Sequence, residues 1–462
     1  MSGRSGMKLG CFKSYDVRGR VGEDLDENIC RQIGRAFARV MEPGTVVLGR
    51  DIRASSQSFQ AALAEGLLES GVDVIDIGLC GTEEVYFATD HFDAGGGLMV
   101  TASHNPIDYN GIKLVEAGAR PIPPDGGFRE MHDLVAAGID APFGPRGRLR
   151  QEDPRPAYVE KVLSFVDPTA LSGCKVLVNA GNGCAGPCFD AIATALEARG
   201  TEIVFERLHH MPDGSFPNGI PNPLLPENRP VTAEAVRAAG ADFGVAWDGD
   251  FDRCFLFDET GAFIDGEYLV GLLARAFLEK VPGAKIVHDP RVMWNTQEIV
   301  AQNGGEAVVS LTGHVHVKAT MRKMDAVYGG EMSAHHYFRD FMYCDSGMIP
   351  WLLIAEHVCR TGQPLSALIG DMRARYPSSG EINFRVTDAG AAMEAIEAAL
   401  TGEGCEIDRM DGLGLSFADW RLSLRRSSTE PVLRLNVEAR GDRALLERKT
   451  AEVIDMIRAF EA

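Results

Sequence analysis

Nowhere in the chain does an apolar run approach the roughly 18 residues that a helix needs to cross a bilayer, and the opening stretch MSGRSGMKLGCFKSYD has no apolar signal core. Cysteine is present without a framework: ten are scattered, and the nearest pair, Cys184 and Cys188, has neither zinc-knuckle nor redox spacing. Reduced thiols are therefore expected. Positive charge is in deficit, with 46 Lys and Arg against 66 Asp and Glu and a net charge of −20. Phosphate backbones need a cationic surface, so a nucleic-acid partner is not expected. These absences lead us to expect a soluble, cytoplasmic protein with neither a membrane nor a nucleic acid as partner. An anionic ligand would have to be met by locally gathered arginines and lysines.

What is present is ordinary for a folded chain: 45% apolar and 24% charged residues argue against disorder. A length of 462 residues exceeds one hydrophobic core and suggests about three domains, or four. One plan occurs three times. TVVLGRD leads through SSQSFQAALAEGLLESG to VDVIDIG, KVLVNAGNG through CFDAIATALEARG to TEIVFERL, and AKIVHDP through NTQEIVAQNGG to EAVVSLTG. An apolar strand, a polar or glycine-bearing loop, an amphipathic helix, a glycine and a second strand make the sequence form of a βαβ unit. Such units bury a mostly parallel sheet under helices.

From about residue 380 the pattern changes to strand, helix, two strands joined by a turn, and a final helix, for which a mixed sheet of α+β type is expected. The fold class is therefore three tandem similar α/β domains, at 7–149, 150–259 and 260–373, plus an α+β domain at 380–462. Loops from all four are expected to converge on a central cleft.

Four loops could carry chemistry. In VAWDGDFDRCFLF, Asp248, Asp250 and Asp252 alternate after an apolar strand, and three carboxylates turned onto one point repel unless a hard divalent cation joins them. An EF-hand reading, with Glu259 at the twelfth position, fails because Arg253 stands at the sixth, where glycine is needed for the turn. A solvated acidic turn is the bland alternative; a magnesium site is preferred. GGEMSAHHYF at 329–338 gathers a carboxylate, a hydroxyl and two imidazoles suited to sugar hydroxyls, or is a polar turn. LRRSSTEP at 424–431 puts Arg425, Ser427, Ser428 and Thr429 between two strands, as an anion-binding turn or a plain hairpin. SYDVRG at 14–19, with Tyr15 and Arg18, is weak by itself.

TASHNP at 101–106 raises a separate question. Ser103 could cap a helix, yet NGIKL follows closely, and Lys113 can supply the positive charge that a phosphorylated serine needs. No GxSxG turn surrounds it. A phosphoserine fits the local chemistry better than an acyl-enzyme serine.

Taken in order, TASHNP, DGDFDR, GEMSAHHYF and RRSSTEP resemble the α-D-phosphohexomutase superfamily, with similarity running from CFKSYDVRG to the last helix. The resemblance implies reversible interconversion of mannose 6-phosphate and mannose 1-phosphate through a phosphoserine enzyme and a 1,6-bisphosphate intermediate, supplying GDP-mannose synthesis. It implies one Mg²⁺ per chain, held by Asp248, Asp250, Asp252 and phosphorylated Ser103, with hexose 1,6-bisphosphate as activator and small hexose phosphates as partners. Glu331 and Ser333 would contact sugar hydroxyls with His335 nearby, and Arg425, Ser427, Ser428 and Thr429 would grip the phosphate not being transferred. Tyr15 is placed with the substrate-binding residues, Arg18, His104, Lys113 and Arg253 match positions around the phosphoserine, and Arg291 and His314 match positions near the sugar. Lys113 and His314 are the candidate bases, Lys113 needing a lowered pKa for that role. Many relatives have asparagine at Ser428, and alanine in GEMSAHH, where dual-specificity relatives often have glycine, leans toward mannose. The competing readings are a dual mannose and glucose mutase, a non-catalytic sugar-phosphate-binding protein and a metal-dependent phosphatase.

Overall fold

A computed structural model of the chain describes residues 9–139, 145–426 and 432–461; Ser427, Ser428 and Thr429 lie outside the described residues. Internal contacts group the chain into two compact units. Unit 1 comprises residues 1–263 with 340–362, and unit 2 comprises 264–339 with 363–462. The segment 340–362, inside the stretch expected to form the third domain, thus belongs with unit 1.

Unit 1 holds two sheets. The first runs in the order Val17–Arg20, Tyr109–Glu116, Gly96–Val100, Thr45–Arg50, Asp73–Leu79, Leu149–Gln151. Thr45–Arg50 pairs in parallel with both neighbours, while Tyr109–Glu116 runs antiparallel to Gly96–Val100. Alternate residues of its central strands face opposite ways. Val46, Leu48 and Leu98 join Phe37, Phe59 and Leu63 of the helices Glu27–Met41 and Ser56–Glu69 in one core, whereas Val47 and Met99 meet Val85 and Ala88 of the helix Thr82–His91 in another. A sheet covered on both faces explains why its strands read as continuous apolar runs.

The second sheet runs Cys254–Asp258, Phe243–Trp247, Lys175–Asn179, Val204–Leu208. Its last three strands are parallel and Cys254–Asp258 is antiparallel. The DGDFDR loop therefore connects an antiparallel strand pair, and no EF-hand helices flank it.

Unit 2 also holds two sheets. In one, Glu306–Val309, Lys285–His288 and Tyr328–Gly330 are parallel neighbours, and His336–Phe338 runs antiparallel to Tyr328–Gly330. In the other the order is Ser378–Arg385, Val432–Ala439, Trp420–Arg426, Leu413–Ser416, Glu406–Asp408. Every pairing there is antiparallel, which corrects the mixed sheet expected from the sequence. The last four strands form successive hairpins, and the helix Ala389–Leu400 carries the chain across so that Ser378–Arg385 meets Val432–Ala439 head to tail. Ala392, Ile396, Val453 and Ile457, from Ala389–Leu400 and Arg443–Arg458, share one core with Leu422, Leu433 and Leu435. Among the described residues, no helix is long and apolar enough to cross a membrane.

Candidate active site

The strand pair Gly96–Val100 and Tyr109–Glu116 carries Ser103 on its connection, with Lys113 opposite Met99 in the register. Ser103 is buried and takes φ +48°, a left-handed conformation disfavoured for any residue with a Cβ. Its N–H donates to Thr101 Oγ1 at 2.9 Å, and its hydroxyl donates to Asp248 Oδ2 at 2.6 Å. The residue is in a strand-to-strand loop rather than at a helix start. Arg18 donates to Asn105 Oδ1 at 2.5 Å and to Asp16 Oδ2 at 2.8 Å, so it lies against the same loop. Tyr15 sits half-buried at the bend just before the strand Val17–Arg20.

The three aspartates do meet. Ligand-type oxygens of Asp248, Asp250 and Asp252 lie within 4.8 Å of one another, and all three residues are buried. Lys113 Nζ donates to Asp250 Oδ2 at 2.7 Å and also to Asp252 Oδ2. Arg253 Nε stands 3.4 Å from Asp248 Oδ2, and its Nη2 donates to His104 Nδ1 at 2.8 Å. Asp250 Oδ1 and Asp252 Oδ1 are buried yet accept no hydrogen bond. Buried carboxylate oxygens without donors are costly, and a hard cation bound by oxygen ligands would satisfy them. The donor set therefore fits a divalent metal.

The charges are unevenly shared. Burial, then Asp252 and Asp250, push the Asp248 carboxyl up to about 7. Burial acts against ionisation of Asp250 too, but the Lys113 ammonium overrides it and holds Asp250 below the usual carboxylate range. Burial likewise disfavours the charged Lys113, yet Asp250, Asp252 and Asp248 outweigh it and push its pKa up. This is opposite to the lowered pKa that a Lys113 base was expected to need. Burial, followed by Arg253 and Arg18, pushes the His104 imidazole well below its ordinary value. A neutral ring whose Nδ1 accepts from Arg253 supplies no charge to Ser103.

Two contacts here had no signal in the local sequence. Thr82, at the start of the helix Thr82–His91, donates its hydroxyl to Asp250 Oδ2 at 2.6 Å, and its N–H meets the Asp250 carbonyl at 3.1 Å. Gly249 lies so close to Ser103 that an added Cβ would come within 2.6 Å of the Ser103 carbonyl oxygen. Glycine is required there by close approach rather than by its φ.

A second group of expected residues lies within unit 2. The buried Glu331 accepts from the Gly313 N–H at 2.7 Å through Oε1 and from the Tyr337 hydroxyl at 2.5 Å through Oε2. Asp289 grips Arg291 Nη2 at 2.8 Å and also accepts from the Met332 N–H. Burial alone would disfavour the charged guanidinium, but Asp289 and then Glu331 and Glu381 more than compensate. Ser333 Oγ is 3.5 Å from Arg291 Nη2, His335 is half-buried with its ring stacked on Tyr337, and His314 begins the helix His314–Met324. Arg425, on Trp420–Arg426, lies 3.8 Å from Glu381 Oε2, and Arg291 and Arg434 each reach Glu381 at 3.3 Å. Three guanidiniums thus gather at Glu381, with Asp289 and Glu331 also facing Arg291 and Asp411 facing Arg425, so the group offers guanidinium donors to an anionic ligand rather than a net positive charge. Tyr337 and Asp289 were missed as supports: Tyr337 bonds Glu331 within the same motif, and Asp289 joins Arg291, two positions on, to the distant Met332.

Residues 10–129 match the description phosphoglucomutase/phosphomannomutase, alpha/beta/alpha domain I, and 156–261 and 265–376 match its domains II and III. Residues 381–456 match the C-terminal domain of the same description. A phosphomannomutase from Salmonella montevideo is 56% identical over 97% of this chain and 99% of its own length. A Xanthomonas campestris protein named phosphohexose mutases is 55% identical over 98% of this chain and all of its own. Among solved structures, a phosphoglucomutase/phosphomannomutase family protein from Burkholderia thailandensis superposes with a TM-score of 0.85 at 32% identity, covering 97% of each chain. Four domain matches in the family's order, full-length relatives above half identity and a common fold agree on one conclusion: the chain belongs to the phosphoglucomutase/phosphomannomutase family.

Proposed function

We propose that the protein interconverts mannose 6-phosphate and mannose 1-phosphate, with Ser103 as carrier of the transferring phosphoryl group. The observation that carries this reading is the 2.6 Å bond from Ser103 Oγ to Asp248, inside a buried cluster of three carboxylates. The Ser103 hydroxyl donates to a carboxylate of a metal-type site, and the His104 Nδ1 that lies 2.9 Å from Oγ is also engaged by Arg253, an arrangement that suits a phosphate carrier better than an acyl nucleophile. The names of the full-length relatives support the same substrate class.

In the first half-reaction the bond from phosphorus to Ser103 Oγ breaks as a bond forms to the sugar hydroxyl oxygen, whose proton passes to a base. The resulting 1,6-bisphosphate turns over, and the second half-reaction returns the other phosphoryl group to Ser103; added bisphosphate activates by rephosphorylating the serine. Asp248, Asp250 and Asp252 would hold Mg²⁺, which when bound neutralises charge on the transferring phosphoryl oxygens. Lys113, Arg253 and Arg18 add positive charge around the serine. Lys113 stands as an ammonium paired with two carboxylates, which favours His314 as the base. Glu331, oriented by Gly313 and Tyr337, accepts from sugar hydroxyls beside Ser333 and His335, with Tyr15 as a further substrate contact. Arg425 and Arg291, with Ser427, Ser428 and Thr429, grip the phosphate at the other end.

Intact mass should show one added phosphoryl group mapping to Ser103, and Ser103→Ala should reduce mutase turnover to background. Mutase activity unchanged in Ser103→Ala would overturn the phosphoserine reading. A dual mannose and glucose mutase is the second reading, favoured by the broader name of the Xanthomonas relative. Equal turnover of glucose 1-phosphate and mannose 1-phosphate decides for it.

A further inference from the structure

Arg53 belongs to none of the four motif loops. It follows the strand Thr45–Arg50 in GRDIRASS and is 3% exposed. Its Nη1 donates to the carbonyls of Pro106 at 2.8 Å and Tyr109 at 3.0 Å. Its Nη2 donates to the carbonyls of Ser103 at 2.9 Å and Asn105 at 2.6 Å. Four carbonyls of the connection that bears Ser103 thus converge on one planar guanidinium.

This use of a buried arginine is unusual. A desolvated guanidinium is ordinarily balanced by a carboxylate in bidentate contact, but the nearby Asp51 lies 3.6 Å from Arg53 Nε. Asp51 is itself taken up by the Ser56 hydroxyl and by the Arg53 backbone N–H. The terminal nitrogens of the side chain are therefore spent on the loop. That loop needs outside support, because Ser103 has φ +48° and its carbonyl is wedged between Arg53 Nη2 and Gly249. If the carbonyl swings away, the Ser103 Oγ no longer faces Asp248.

We propose that Arg53 is a positioning residue for phosphoryl transfer, its guanidinium fixing the Ser103 backbone so that Oγ stays aimed at the aspartate cluster. The inference rests on the reading of Ser103 as phosphate carrier. The role requires the rigid fork of arginine: lysine keeps the charge but carries its donors on one atom and cannot serve four separated carbonyls. A displacement of the reacting atom by about 1 Å costs on the order of 100-fold in rate.

The test uses full-length Arg53→Lys and Arg53→Gln. The expected result for Arg53→Lys is a kcat lower by about 100-fold with KM changed by less than about threefold. Phosphorylation of Ser103 by hexose 1,6-bisphosphate, followed by intact mass, should slow in parallel, while the Mg²⁺ titration of the unphosphorylated protein stays the same. Arg53→Gln, which has one amide group in place of the fork, should lose as much turnover, and Arg53→Lys should not rescue it. A kcat for Arg53→Lys within about twofold of the parent overturns the inference, as does a loss that disappears when activity is counted per folded molecule from melting curves. If Ser103→Ala is itself active, the underlying reading fails whatever the Arg53 variants do. If Ser103→Ala is inactive while Arg53→Lys is fully active, the inference alone fails.

Discussion

A single hydroxyl touches both members of an ion pair in the aspartate cluster. Thr82 donates to Asp250 Oδ2 at 2.6 Å, while Lys113 Nζ stands 3.3 Å from the Thr82 oxygen. A hydrogen bond to a charged group is worth about 1.5–3 kcal/mol, and leaving the buried acceptor unsatisfied adds to the loss. With the hydroxyl present, Asp250 Oδ2 is held by two donors while its Oδ1 accepts no hydrogen bond; without it, the carboxylate follows Lys113 alone. Thr82→Val should therefore weaken Mg²⁺ binding by about tenfold, read by calorimetric titration of the unphosphorylated protein. Thr82→Ser should restore the parent affinity. Unchanged affinity in Thr82→Val would mean that Lys113 suffices to place Asp250.

At the scale of elements, Glu83 ties three pieces of unit 1 together. Its carboxyl accepts from the Tyr158 hydroxyl on the helix Arg155–Leu163, from Ser346 Oγ at 2.9 Å, and from the Gly347 N–H just before the helix Met348–Thr361. Gly347 in turn accepts from Trp247 Nε1 at 2.8 Å, at the end of the strand that leads into the DGDFDR loop. Glu83→Ala strands these donors in the interior and should cost about 3 kcal/mol, seen as a melting temperature several degrees lower. Tyr158→Phe, which removes one donor, should cost less; equal melting temperatures for Glu83→Ala and the parent would show that the network is slack. The contrast between local and distant order explains what could be read in advance. The three βαβ units were legible because each is written by hydrophobic period within about 35 residues, and the observed strands and helices fall where TVVLGRD, KVLVNAGNG and AKIVHDP placed them. The antiparallel sheet was misread because pairing direction depends on how Ser378–Arg385 is carried past four later strands, and the short strands Glu406–Asp408 and Leu413–Ser416 were not recognised. Of the candidate site, the meeting of Ser103 with the three aspartates was legible from the motifs; Thr82 and Arg53 were not, and Tyr337 was passed over although it stands in GGEMSAHHYF. Thr82 meets Asp250 across 168 positions and Arg53 meets Ser103 across 50, and no local pattern records such contacts.

For the whole molecule, the aspartate cluster links metal binding, pH and stability. Burial, Asp252 and Asp250 raise the Asp248 carboxyl from 3.8 to about 7. An acid whose pKa is higher in the folded state contributes stability that is fully present below the unfolded value and is lost as pH rises through the folded one. The window for Asp248 is thus about pH 4 to 7. Asp250 is shifted downward, so its contribution is lost only as pH falls below its ordinary range, and Lys113 is shifted upward from 10.5, so it acts only in alkali. Burial also pushes up Glu83 and Glu267, Glu267 to about 8, and both tilt stability in the same direction as Asp248. The effect of metal isolates Asp248, because neither glutamate is one of the three clustered carboxylates. Mg²⁺ held by this cluster would compete with the proton on Asp248, and a ligand bound to the folded state stabilises it by mass action, about 2.7 kcal/mol at 100 times its dissociation constant. The rise in melting temperature caused by a fixed Mg²⁺ concentration should therefore be small near pH 5 and should grow to a plateau near pH 8. Removing the metal with a chelator should abolish the increment at every pH, with the larger fall in melting temperature at the alkaline end. Asp248→Asn should abolish the pH dependence of the increment and most of the increment itself. An increment that is flat from pH 5 to 8 in the parent protein would show that Asp248 is already ionised when the metal arrives, and that the Lys113 ammonium neutralises all three carboxylates rather than the two it touches.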